Sequence, residues 1–127
     1  MTLGELISAL EAADPSVVLP LGFSSPHSYR GDYMDLAFEP TANVTVGAML
    51  ADARSALGAT YQGHKGGDYV MNGYTACWLA EDGSGDGETI GPILLTLLLA
   101  AGQLNEPTRE ALVRFESEWV TLRKGSA

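Results

Sequence analysis

The chain has little positive charge, a single cysteine and no long apolar run. Its 127 residues include seven Lys and Arg against 16 Asp and Glu, a formal net charge of −9. Because so acidic a surface repels phosphates, neither a nucleic-acid polymer nor an anionic membrane is an expected partner. The longest apolar run, residues 93–101, is far shorter than the ~20 residues that cross a bilayer.

Metal and cofactor chemistry has little support in the sequence. The single cysteine, Cys77, excludes an internal disulfide and a multi-cysteine zinc site, and it suits a reducing compartment. Residues 82–88 begin like a calcium loop, but Ile93 stands where the closing glutamate belongs. Neither a P-loop nor a nucleophile elbow is present. We therefore expect no metal ion, no cofactor and no catalytic residue.

The composition is that of a packed globule, with 46% hydrophobic and 18% charged residues. A chain of this length without an interdomain linker predicts one domain over residues 1–127. We expect a folded core over residues 1–122 and a frayed tail at residues 123–127.

Helices are predicted where apolar residues recur at spacings of three and four. Thr2 and Glu5 have capping-box spacing, Thr45 precedes the second helix, and Pro92 opens the third. The last two helices carry more apolar surface than a small domain needs, so we expect them at the interface of a homodimer or larger oligomer. The four predicted helices span about residues 2–12, 46–57, 92–102 and 105–122.

Strands are predicted where β-branched and apolar residues cluster. Short strands are expected near residues 17–19 and 36–38, with a loop at residues 22–31 between them. A glycine-rich loop and the dipeptide Asn72-Gly73 divide residues 59–80 into a three-stranded antiparallel meander. The expected fold is α+β, a small antiparallel sheet packed with about four helices.

The stretch His27-Ser28-Tyr29-Arg30-Gly31 is the first candidate binding site. Arg30 offers a planar fork of donors suited to phosphate or carboxylate. The rings of Tyr29 and Tyr33 offer flat faces for a base, and Gly31 permits close approach. Alternatively, this is a surface loop in which Arg30 pairs with a neighbouring aspartate.

The stretch from Tyr61 to Tyr69, with His64, Lys65 and Gly66 at its centre, is the second candidate. Its glycines can expose backbone N–H groups as an anion nest, and Lys65 adds a point charge. The two terminal tyrosines are placed to stack on a ring. Alternatively, the stretch is a flexible hairpin tip.

Three functions fit these residues. Both candidate stretches combine glycine, tyrosine and a basic residue, which favours a nucleotide-like ligand. His27 and His64 allow instead a small phosphodiesterase or hydrolase with an acid–base pair. The acidic surface and the apolar C-terminal helices allow a structural or protein-binding component. Arg109 on the last helix is either a solvated charge or a group that reaches a partner subunit's pocket.

A series of short motifs resembles a known family. It includes residues 26–31 (PHSYRG), 36–40 (LAFEP), 55–58 (SALG) and 65–69 (KGGDY). The series resembles small bacteriophage proteins, and among these the type 1 Thoeris anti-defence proteins, which are cyclic-nucleotide sponges. The resemblance covers about residues 1–100.

The resemblance implies binding without catalysis in the cytoplasm of an infected bacterium. Such proteins sequester the cyclic ADP-ribose isomer made by the host's Thoeris defence, and some hold the cyclic di- or trinucleotides of the CBASS defence. They act as dimers or larger oligomers with pockets near subunit contacts. Arg30 is the residue that the resemblance carries over. Side-chain chemistry adds the rest of the expected ligand shell, which is His27, Ser28, Tyr29, Gly31, Tyr61, His64, Lys65, Gly66 and Arg109.

Overall fold

A computed structural model describes residues 1–103 of the chain, and over this part the fold is α+β, as predicted. The predicted fourth helix and the predicted tail lie outside the described residues. The helices are α1 (Leu3–Glu11), α2 (Val46–Ala56) and α3 (Pro92–Ala101). The strands are β1 (Val18–Tyr29), β2 (Asp32–Thr45), β3 (Thr60–Gln62), β4 (Asp68–Val70), β5 (Cys77–Leu79) and β6 (Glu88–Thr89).

Local capping chemistry sets where the helices begin. The Thr2 hydroxyl accepts from Glu5 N at 3.2 Å, and Thr2 N donates to Glu5 Oε1 at 2.9 Å, which confirms the predicted capping box. Thr45 caps α2 by accepting from Ala48 N at 3.1 Å. Gly58 follows α2 with a φ of +79°, a conformation that glycine adopts without strain.

Four strands form one mixed sheet in the order β1-β2-β5-β6. The pair β1–β2 is antiparallel, β2–β5 is parallel, and β5–β6 is antiparallel, so the expected purely antiparallel sheet is wrong in the β2–β5 pair. Strands β3 and β4 form a separate two-stranded antiparallel sheet.

The predicted meander over residues 59–80 is wrong in its third strand. Asn72-Gly73 does form a turn, but β5 leaves β4 and pairs with β2 instead. The reason is that this turn caps the start of α1. Gly73 O accepts a hydrogen bond from Gly4 N, and Thr75 O accepts one from Leu3 N. Two otherwise unpaired N–H groups at the helix start are satisfied in this way.

The short strands predicted near residues 17–19 and 36–38 are parts of a long hairpin, and the loop predicted at residues 22–31 is mostly strand. Strand β1 tolerates Pro20 and Pro26 because it is an edge strand, where a missing N–H breaks no second ladder. Around Pro26 the β1–β2 register shifts between Ser24 and His27, and Ser25 adopts a φ of +53°.

The two faces of the four-stranded sheet differ in their cover. Leu36 and Phe38 of β2 face a large apolar core shared with all three helices. Ala37 lies between them and therefore points to the opposite face, where it packs with Tyr29, Ala80 and the half-buried Trp78. The hairpin tip lies beside this second, smaller cluster.

Helix α3 buries only part of its apolar surface. Leu95, Leu98 and Ala101 are buried, whereas Ile93 is 79% and Leu97 is 63% exposed. Among residues 1–103, none of the helices is both long enough and apolar enough to cross a membrane.

Candidate functional site

The tip of the β1–β2 hairpin meets two loops, and we call residues 28–33, 63–69 and 81–87 together the hairpin-tip site. Arg30 Nη1 donates to Gly83 O at 2.8 Å. A Cβ placed on Gly83 would lie 3.9 Å from His64 Cε1. The two stretches that the sequence singles out are therefore joined through loop 81–87.

Tyr29 holds this loop in place. Its hydroxyl donates to Gly85 O at 2.7 Å and accepts from Gly87 N at 3.0 Å. One face of its ring stacks on Trp78, with centroids 4.5 Å apart and an interplanar angle of 19°. Tyr29 is only 4% exposed. The prediction that its ring offers a face to a ligand is therefore wrong, and its contribution is structural.

Glycines allow the backbone to approach the Tyr29 ring. A Cβ on Gly31 would lie 2.5 Å from Tyr29 Cε2, and one on Gly87 would lie 3.2 Å from Tyr29 Cε1. Gly85 in turn lies against Gly31. The alternating glycines at positions 83, 85 and 87 were the sequence signal that this loop packs closely on another element, and sequence reasoning missed it.

Arg30 is exposed and makes no ion pair with Asp32 or Asp35 within residues 1–103. Among residues 1–103 its one hydrogen bond, to a backbone carbonyl, uses one of the five donors that a guanidinium carries. Asp35 accepts instead from Trp78 Nε1 at 2.9 Å. Arg30 therefore keeps donors for a phosphate or carboxylate.

His27 and Ser28 lie on β1 and make local contacts. Ser28 is buried, and its hydroxyl donates to Tyr33 O at 2.6 Å. His27 Nδ1 lies 3.0 Å from Ser25 O, and since a carbonyl can only accept, Nδ1 carries the proton. His27 Nε2 is buried without a partner in residues 1–103, so it has no hydrogen bond to His64.

In the glycine-rich loop at residues 63–67, two of the backbone N–H groups predicted to bind an anion make hydrogen bonds within the loop. Gly66 N donates to Gly63 O and Gly63 N donates to Gly67 O, both at 2.9 Å. Gly66 and Gly67 have φ angles of +95° and +85°. His64 and Lys65 are exposed at the bend between Gly63 and Gly66. Side-chain charge at this loop is therefore open to solvent, whereas two of its backbone donors are not free.

Tyr61 and Tyr69 pair directly across β3 and β4, so their side chains lie on the same face. Both pack against the main core. Burial, with a smaller contribution from the charge of Asp52, raises the pKa of Tyr61. Tyr69 also contacts Tyr33, with ring centroids 5.7 Å apart and an interplanar angle of 53°.

Loop 81–87 brings negative charge to the site. Asp82 and Asp86 are exposed, as are Asp32 and Asp68 on the neighbouring strands. Glu39 Oε1 accepts from Asp82 N at 3.3 Å, which ties the start of the loop to β2. An anionic ligand at this end of the molecule therefore depends on Arg30 and Lys65.

Other candidate chemistry lies elsewhere. Burial raises the pKa of the Cys77 thiol to about 12, so it stays protonated. No group of three or more potential metal-ligating side chains occurs within residues 1–103. Arg109 lies outside the described residues. A groove of about 360 Å³ near α3 contains none of the predicted site residues; its lining is Ala13, Asp14, Val17, Val46, Thr96, Leu99, Ala100 and Gln103.

Comparisons with family models, with curated proteins and with solved structures find no match for this chain. The resemblance to the type 1 Thoeris anti-defence proteins stays a prediction, and the geometry of the hairpin-tip site is the basis for a functional proposal.

Proposed function

We propose that the protein binds a small cyclic nucleotide at the hairpin-tip site and sequesters it without catalysis. One observation carries the proposal: exposed Arg30 and exposed His64 meet at Gly83, although they are far apart in the sequence. A guanidinium with unused donors suits a phosphate, and Lys65 directly follows His64 in the chain. The proposed ligand is a cyclic ADP-ribose isomer or a cyclic di- or trinucleotide, taken up by a phage anti-defence protein in the host cytoplasm.

The energetics favour a site shared between subunits. Nanomolar binding needs about −12 kcal/mol, whereas one charged hydrogen bond contributes ~1.5–3 kcal/mol and one stacked base ~1–3 kcal/mol. Association itself costs at least ~4 kcal/mol. Arg30, Lys65 and two tyrosines therefore fall short on their own, and a second subunit would supply further contacts.

We propose accordingly that the chain forms a homodimer or larger oligomer. Ile93 and Leu97 are four residues apart on α3, so they lie on one side of the helix, and both are mostly exposed. Such an apolar stripe is typical of a helix that packs against another surface. Light scattering of the full chain tests this directly. Leu97→Gln should lower the measured mass, whereas Ser8→Gln, at an exposed polar position of α1, should not.

Incubation followed by heat release separates sequestration from hydrolysis. The full chain is mixed with cyclic ADP-ribose isomers or cyclic di- and trinucleotides, freed of unbound nucleotide by filtration, and denatured by heat. Intact nucleotide recovered in proportion to protein supports sequestration, and Arg30→Ala should retain none. Degraded nucleotide would indicate a hydrolase instead. No retained nucleotide at micromolar protein would overturn the proposal.

A further inference from the structure

We infer that Tyr33 and Tyr69 form the surface on which the base of the ligand stacks. This inference rests on the proposed nucleotide binding and specifies how that site recognises its ligand. Of the four tyrosines that the sequence offers for stacking, Tyr29, Tyr33, Tyr61 and Tyr69, it assigns the role to Tyr33 and Tyr69.

Tyr29 and Tyr61 are committed to the fold. Tyr29 is enclosed between Trp78 and the glycines of the neighbouring turns, and its hydroxyl already has two partners. Tyr61 packs against the main core beside α2, where burial raises its pKa. The Tyr29 ring cannot turn a face to a ligand without breaking these contacts, and no second ring packs on Tyr61 within residues 1–103.

Tyr33 and Tyr69 meet at the hairpin tip. Tyr69 shares with Tyr61 the contact with the main core, but its ring also packs on Tyr33. Both are half-buried, and within residues 1–103 neither hydroxyl makes a hydrogen bond. Their rings are tilted against each other at 53°, with centroids 5.7 Å apart, a geometry that favourable aromatic pairs adopt. Because both residues are half-buried, part of each side chain is exposed to solvent, where a third planar group can pack.

The backbone fixes both rings at the tip. The buried Ser28 hydroxyl donates to Tyr33 O at 2.6 Å, directly after the turn of the hairpin. Gly63 lies under both rings, because a Cβ there would come within 2.8 Å of Tyr69 Cε2 and 3.3 Å of Tyr33 Cγ. The positions of the two rings are therefore set before any ligand arrives, which lowers the entropic cost of binding.

The same glycine connects the aromatic pair to the basic residues. His64 and Lys65 follow Gly63 directly in the chain, so the bend that carries these two basic residues begins next to the tyrosine rings. A base on the rings and a phosphate at the bend match the two parts of a nucleotide. An uncharged base is also compatible with the acidic surroundings, which oppose a purely anionic ligand. The expected ligand class is therefore a nucleotide with at least one exposed planar base.

Leucine substitutions test the stacking surface, since leucine removes the ring and keeps apolar bulk. Tyr33→Leu and Tyr69→Leu should each weaken the affinity for cyclic ADP-ribose or a cyclic dinucleotide by about 5- to 100-fold, the range of one stacked base. Tyr33→Phe keeps the ring and should bind within about twofold of the wild type. Tyr74→Leu is the matched control, because Tyr74 is 91% exposed in the turn beside α1.

Two fragments separate stacking from charge recognition. Adenosine, a base without phosphate, should lose its ligand-observed NMR signal of binding in Tyr33→Leu and Tyr69→Leu but keep it in Arg30→Ala. Ribose 5-phosphate, a phosphate without a base, should show the reverse. Melting temperatures are measured alongside. Should Tyr69→Leu unfold, the comparison of Tyr33→Leu with Tyr33→Phe carries the test, because only the leucine variant lacks the ring.

The outcomes are distinguishable. If the wild type binds a cyclic nucleotide and the folded tyrosine variants bind it equally well, the stacking surface is wrong and the proposed function stands. If the wild type binds no cyclic nucleotide and neither fragment, the stacking surface and the proposed function are both wrong. Selective loss of adenosine in the tyrosine variants supports the inference.

Discussion

The two faces of the four-stranded sheet each carry one pair of aromatic rings, and the pairs are held differently. Phe23 and Phe38 pack at 4.8 Å between centroids, fully buried under the helices. Tyr29 and Trp78 stack at 4.5 Å under loop 81–87, which is tied down by hydrogen bonds. The first pair contributes apolar burial, and the second positions a loop.

This difference separates stability from recognition. Burial of large apolar side chains is the dominant favourable contribution to folding, so the helix-covered face should determine the free energy of unfolding. A loop held by a few hydrogen bonds opens at a lower free-energy cost than the packed core does. The hairpin tip can therefore tolerate changes that the opposite face cannot.

The largest expected effect on stability is at Phe38. Phe38→Ala removes a fully buried ring and should lower the free energy of unfolding by about 3–5 kcal/mol. Urea denaturation followed by circular dichroism measures this, with Phe38→Leu as a smaller volume change. A loss below about 1 kcal/mol for the alanine variant would mean that the two faces do not differ as described.

Tyr29→Phe should have an intermediate effect. The ring and its stacking on Trp78 remain, but Gly85 O and Gly87 N lose their shared partner, at a cost of about 1–2 kcal/mol. Hydrogen exchange is expected to accelerate in loop 81–87 and to stay unchanged in α1 and α2. Faster exchange throughout the chain would instead show that the loop is part of the main cooperative unit.

Neutralising the acidic loop should have a smaller effect, on affinity. Asp82→Asn and Asp86→Asn remove exposed negative charges beside Arg30, so nucleotide affinity should rise by about two- to fivefold at low salt. The gain should disappear at about 1 M salt. Glu11→Gln on α1 removes the same charge at a distance and should leave the affinity unchanged. Weaker binding by the aspartate variants would imply that these carboxylates contact the ligand.

The smallest expected effect is a pH dependence at α1. Hydrogen bonds from Thr2 lower the pKa of the exposed Glu5 carboxyl, so its folded-state pKa lies below its unfolded-state value. This contribution to stability is present at neutral pH and is lost as the pH falls below about 4. Glu5→Gln should slightly flatten stability between about pH 5 and pH 3. An unchanged profile would show that the capping box does not couple to titration.

Local signals explain why the helix starts could be predicted and the sheet could not. Caps such as Thr2 and Thr45 act over three residues, so the sequence contains the whole interaction. Pro20 and Pro26 indicate a loop unless the strand is known to be an edge, which depends on distant pairing. Asn72-Gly73 was recognised as a turn, but its role in capping α1 is a tertiary contact.

Some features of the candidate site could also be predicted from the sequence, and others could not. Arg30 and Lys65 are recognisable from their chemistry, and both are exposed as that chemistry requires. The burial of Tyr29 follows from its contact with Gly85 and Gly87, more than fifty residues away in the chain. A tyrosine in a glycine-rich stretch does not reveal whether its ring faces solvent or a neighbouring loop. That distinction needs the tertiary structure.

The most direct test of nucleotide binding at the hairpin tip is calorimetric titration of cyclic ADP-ribose isomers and cyclic dinucleotides into three proteins. These are the wild type, Arg30→Ala and Arg54→Ala; Arg54 is exposed on α2 and pairs with Glu11 at 3.2 Å, away from the tip. We expect tight binding by the wild type and Arg54→Ala, and a loss of at least about tenfold in Arg30→Ala. Equal binding by all three proteins, or no binding by the wild type at micromolar concentration, would contradict the account.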